Sequence, residues 1–151
     1  MNRNVLRIGA IAVVIAGVGL AVILRGTLAP MPPTGPLALV EPQAGSPQAL
    51  TSGVLEITDE CVRLVYPDGE SRLVIWSRGS VTWDATDRSI AVSTPDGGNL
   101  TLRGGDAVSI TGGGGSSAAL ESAGSWVRRP GDGCEAPGWV LAVDVRVAPQ
   151  D

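Results

Sequence analysis

The chain has 151 residues, enough for one modest domain together with an anchor and a linker. It contains no His, which excludes Ser-His-Asp and Cys-His nucleophile systems and any His-ligated zinc or haem. Residues 1–40 carry Arg3, Arg7 and Arg25 and no acid, whereas all 15 acids lie beyond residue 40 against eight arginines, a formal −7 that disfavours both nucleic acid and anionic lipid headgroups as partners of that part.

Residues 1–7 read as a short cytoplasmic tail. Ile8 to Leu24 is an unbroken run of Ile, Ala, Val, Gly and Leu. With Val5 and Leu6 it reaches about 20 residues, and at ~1.5 Å per residue this matches the ~30 Å hydrocarbon core. The run predicts a transmembrane helix over 8–24 acting as a signal anchor, with the lipid bilayer as its partner. Two arginines and the α-amino group precede it and Arg25 follows, so the positive-inside rule places the N-terminus in the cytoplasm. The protein is then a single-pass protein of the cell membrane with its C-terminal part extracytoplasmic. A cleaved signal peptide ending at Thr27-Leu28-Ala29 is the alternative, opposed by the length of the run and by Pro30. Residues 25–50 are proline-rich and predict a semi-extended linker, because proline fixes φ and removes a backbone donor.

Beyond Thr51 the pattern becomes short alternating runs, giving an extracytoplasmic β domain over 51–147 and a tail over 148–151. Val54-Leu55-Glu56-Ile57 and Val62-Arg63-Leu64 alternate apolar and polar. Pro67-Asp68-Gly69 then sets a hairpin turn: Pro presets φ, Asp bonds the backbone and Gly accepts a positive φ. Residues 73–76 are apolar on both faces, which predicts a central or strongly curved strand. Ile90 and Val92, Leu100 and Leu102, and Val108 and Ile110 continue the period of two, with a second hairpin at Pro95-Asp96-Gly97. Gly112 to Gly115 reads as a flexible loop, because no Gly-Lys-Ser/Thr follows to make a phosphate loop. Ser117 to Glu121 predicts a short helical piece, and Trp139 to Val147 a closing strand. The fold class is all-β, a small antiparallel barrel of about five to seven strands.

Gly104-Gly105-Asp106-Ala107-Val108-Ser109-Ile110-Thr111-Gly112 resembles the G-D-x-V-x-V-x-G strand-opening motif common in OB-fold barrels. The order of curled strands, a break with a short helix and a closing strand is also similar. The resemblance implies an OB-like barrel of the kind found in membrane-anchored or secreted domains of GC-rich bacteria, a source that arginine in place of lysine also suggests. It implies no activity. The haem chaperones of cytochrome c maturation look similar in layout but depend on a His, so their function does not transfer.

Cys61 opens one strand and Cys134 precedes the last. In an oxidising compartment such a pair favours a disulfide; buried free thiols and a redox pair are the alternatives. Asp59, Glu60, Asp84 and Asp87 are the carboxylates from which a hydrolase or Ca²⁺ site would be built, but they occupy turn positions where acids serve local hydrogen bonding. No catalytic, cofactor or metal residue is assigned. Trp76 and Trp139 fall on core-facing strand positions. Trp83 and Trp126, with Arg128 and Arg129, are the candidate contact patch for an envelope protein or a glycan. The leading expectation is a non-enzymatic, membrane-anchored binding or auxiliary domain of the cell envelope. A carboxylate-dependent hydrolase, a secreted domain and a purely structural domain are the rivals.

Overall fold

The computed structural model describes residues 35–45 and 49–148. The expected tail over 1–7, the expected span over 8–24, much of the expected linker and the residues beyond 148 lie outside the described residues. Among the described residues no helix is long and apolar enough to cross a membrane.

The described residues form an all-β fold with one short helix. In chain order the strands are β1 (Ala38–Val40), β2 (Ala49–Ile57), β3 (Val62–Val65), β4 (Ser71–Ser77), β5 (Val81–Asp84), β6 (Ser89–Ser93), β7 (Asn99–Arg103), β8 (Ala107–Gly112), β9 (Gly114–Ser116), β10 (Trp126–Arg128), β11 (Gly138–Ala142) and β12 (Asp144–Val147). A 3₁₀ helix, Ser117–Ala123, lies where the sequence predicts a helical piece. β5, β6 and β7 make a separate antiparallel sheet. The other nine strands share one sheet, ordered β10-β1-β4-β3-β2-β8-β12, with β11 on β4 and β9 on β11.

Three expectations change. First, the sheets are not closed into a barrel. Second, the strands are not all antiparallel, because β1 and β11 both run parallel to β4. Third, there are twelve strands among the described residues instead of five to seven. Part of the excess comes from interruption. The single closing strand expected over 139–147 is broken at Val143 into β11 and β12. Its partner run is broken at Gly113 into β8 and β9. Asp144 faces Thr111 in one ladder and Val140 faces Gly114 in the other, so the register slips by one residue across the break. Such a slip is a bulge, which bends the strand and raises its twist.

That bulge explains the glycine run, which is strand on either side of Gly113 where a flexible loop was expected. A Cβ on Gly112 would collide with the Leu141 carbonyl, and one on Gly114 would lie 2.8 Å from the Trp139 carbonyl. The glycines are present because two backbones approach too closely for any side chain.

β1 lies inside the stretch expected to be linker. Leu37, Ala38, Leu39 and Val40 are all buried, and Ala38, Leu39 and Val40 pair with Ile75, Trp76 and Ser77 of β4. Pro36 lies two residues before the strand, outside its ladder, where a missing N–H does no harm. Four apolar residues between prolines carry too little periodicity to be seen.

β4 holds the fold together. Its alternation sends Val74 and Trp76 into one apolar cluster with Leu55, Leu64, Ile90, Leu102 and Ile110. Leu73 and Ile75 go into a second cluster with Ala38, Val40, Trp139 and Leu141. The three-stranded sheet covers the first cluster through Ile90, Val92 and Leu102. Burying each Leu or Ile contributes roughly 1.5–3 kcal/mol, so a strand apolar on both faces is worth more than one in a one-sided sheet.

Both hairpin turns form as their residues predict. Tyr66 N–H donates to Glu70 O and Thr94 N–H to Gly98 O, each at the base of a Pro-Asp-Gly turn. Gly69 and Gly97 have φ of 87° and 83°, the left-handed region that glycine enters without a steric cost. Asp68 accepts from the Glu70 amide and Asp96 from the Gly98 amide.

Candidate functional site

Cys61 and Cys134 form a disulfide, with Cα atoms 5.4 Å apart and a sequence separation of 73. Cys61 is buried at the tip of the β2–β3 hairpin, where its amide donates to Thr58 Oγ1 and its carbonyl accepts from the Thr58 amide. Cys134 sits in the Gly131–Cys134 turn closed by its own amide on the Gly131 carbonyl. The bond ties that hairpin to the segment leading into β11. A loop of this length contributes about 4 kcal/mol in the chain-entropy model.

The expected contact residues come from both sheets. Trp83 is half-buried on β5 of the small sheet and packs on the first apolar cluster. Trp126 is half-buried on β10 of the large sheet and packs on the second. Arg128 sits beside it on β10, where it pairs with Leu39. Arg129 is the arginine joined to Trp126: its guanidinium lies 5.4 Å from the ring centroid and makes two hydrogen bonds, of 2.6 and 2.8 Å, to the Glu121 carboxylate. That contact holds the Glu121 carboxyl below its usual range and raises the Arg129 guanidinium.

The carboxylates considered for acid–base work are occupied locally. Asp84 Oδ1 accepts from the Thr86 and Asp87 amides. Asp59 pairs with Arg88 at 3.4 Å, and Asp87 with Arg103 at 3.8 Å. Glu60 folds over the turn holding Cys134, close enough that a Cβ on Gly133 would collide with its carboxylate. Among the described residues no group of three or more acids or cysteines converges as metal ligands would.

The structure adds a site that the sequence reading passes over. A groove of about 300 Å³ opens where the N-terminal end of β4 meets β9 and β11, lined by Glu70, Arg72, Gly114, Gly115, Ser116 and Gly138. Register brings these together: Gly138 faces Arg72 on one side and Ser116 on the other. The Arg72 guanidinium lies 5.5 Å from the centroid of the Tyr66 ring, and the Tyr66 hydroxyl accepts from Thr51 Oγ1 at 3.0 Å. Six arginines, namely Arg63, Arg78, Arg88, Arg103, Arg129 and Arg146, pair with carboxylates. Among the described residues Arg72 forms no such pair. The signal was present in the sequence, since Arg72 is in phase with Val74 and Trp76 and so shares the face that enters the first cluster. A second groove, of about 380 Å³, lies between the Pro95 turn and β12. There Arg146 and Asp144 pair with each other at 3.2 Å, so its cation is already satisfied.

The chain matches no protein-family model, no curated protein and no solved structure.

Proposed function

We propose that this chain is a membrane-tethered domain that works on the extracytoplasmic side as a non-enzymatic binding or auxiliary module of the cell envelope. The observation that carries this reading is the Cys61–Cys134 disulfide. Such bonds persist in oxidising compartments and are rare where thiols are kept reduced. The apolar run over 8–24 supports a tether that delivers the domain to that compartment, and the arginines before it support an inward N-terminus. A net-acidic domain beyond residue 40 fits a partner that is a protein or a glycan and not a nucleic acid.

An OB-like strand order is the finer reading of the fold, as a path and not as a closed cylinder. It is supported by β11 running parallel to β4. It is also supported by two hydrogen bonds across the bulge, from the Leu141 amide to the Gly113 carbonyl and from the Val143 amide to the Thr111 carbonyl. These link the β9–β11 ladder to the β8–β12 ladder.

The test is protease accessibility of a C-terminally tagged full-length chain. Protease added to intact cells is expected to remove the tag while an N-terminal fragment stays with the membranes. A tag protected until the cells are lysed contradicts the orientation, and a full domain recovered in the medium contradicts the tether.

A further inference from the structure

The groove at the start of β4 has no role in the reading above beyond being part of a binding domain. We propose that it is a carboxylate-binding site in which the Arg72 guanidinium receives either a small organic acid or the C-terminal carboxylate of a peptide. The proposal rests on the binding reading and gives it a ligand chemistry.

Four features point the same way. The first is charge. The domain holds an excess of acids, and six of its arginines are taken by them, yet Arg72 is not. The second is orientation. The guanidinium carbon lies 5.5 Å from the Tyr66 ring centroid, a cation–π contact that uses none of its N–H donors and leaves them to engage a planar acceptor. Tyr66 is itself held by Thr51, so the ring is in place before a ligand arrives. The third is access. The guanidinium runs along a glycine floor, since a Cβ on Gly114 would lie 3.5 Å from Nη1 and one on Gly138 3.7 Å from Nε. Side chains there would fill the groove. The fourth is size. About 300 Å³ is the lower end of the range for small-ligand sites. Ser116 lines the same groove and offers a hydroxyl donor. Glu70 also lines it, and its negative charge disfavours ligands carrying more than one carboxylate.

The test uses the full-length chain in detergent, with its disulfide intact, titrated by calorimetry and by amide chemical shifts. The probes are N-acetylalanine and trialanine, each compared with its C-terminal amide. Both acids are expected to bind saturably, and both amides at least tenfold more weakly. If only trialanine binds, the ligand is a peptide terminus; if N-acetylalanine binds as well as trialanine, a small acid suffices. Arg72→Gln is expected to weaken acid binding at least tenfold, and Glu70→Gln to strengthen it severalfold. Arg78→Gln, which removes an exposed partner of Glu41 away from the groove, is expected to bind as the native chain does. Arg72→Lys keeps the charge but loses the planar fork, so it is expected to weaken binding even if Arg72→Gln fails to fold. The proposal is overturned if amides bind as tightly as acids, if Arg72→Lys and Glu70→Gln both leave affinity unchanged, or if neither acid binds to a chain with native circular dichroism. Those failures would not touch the tether or the orientation, which the protease experiment reads separately.

Discussion

Two carboxyls, Glu121 and Asp96, show how little a residue needs to be reset. Both are exposed, so the cause is hydrogen bonding and not burial. Arg129 donates to Glu121, while the Thr94 hydroxyl and then the Gly98 amide donate to Asp96, and each pKa falls below its usual value. Hydrogen bonds to the charged form favour that form. The sign follows from linkage. A depressed folded pKa gives stability that is fully present above the unfolded pKa and is lost as pH falls through the folded one. Carboxyl-carbon NMR titration of the folded domain should therefore find both groups titrating on the acid side of the ordinary range. Arg129→Gln should return Glu121 alone to its usual value, and Thr94→Val should raise Asp96 part of the way, because the Gly98 amide still donates to it. If neither substitution moves the titration, the hydrogen bonds are not its cause.

Elements differ in how plainly the sequence announces them. The two Pro-Asp-Gly hairpins were legible because each residue type has a separate local reason to be there, and local reasons survive any tertiary context. The alternating runs at 54–57, 62–64, 90–92, 100–102 and 108–110 were legible from their period of two, whereas β5 was not read. β1 was not legible, because its fold depends on β4 lying beside it, and four apolar residues between prolines carry no period. The break of the closing strand was also hidden, since the alternation of Trp139, Leu141, Val143, Val145 and Val147 runs through it unbroken while Val143 turns out half exposed. Its cause is on the partner, in the glycines read as a loop. Among the site residues, the disulfide was readable from compartment and count. The sheet that receives each tryptophan was not, because spacing along the chain does not specify it. The bulge makes a sharp forecast. Gly112→Ala places a methyl group into the Leu141 carbonyl and should cost about 3 kcal/mol or more, the upper end for overpacking. Gly97→Ala faces open space and pays only for its positive φ, about 1 kcal/mol. Urea unfolding of the two variants distinguishes them; equal midpoints would mean that the ladder shifts freely at Gly112.

At the scale of the whole molecule, two apolar clusters share one doubly buried strand, a small sheet covers one of them, and a covalent clasp joins the β2–β3 hairpin to the segment before β11. The clasp is also what supports the proposed place in the cell, because disulfides persist in oxidising compartments and are rare where thiols are kept reduced. The most direct measurement is the thiol state of Cys61 and Cys134 in growing cells. Cells are quenched in acid, the chain is denatured, and a maleimide polymer is added before or after reduction. The account predicts no mass increase before reduction and the addition of two polymers after it. Two additions without reduction would show both thiols free in the cell and would contradict an extracytoplasmic domain.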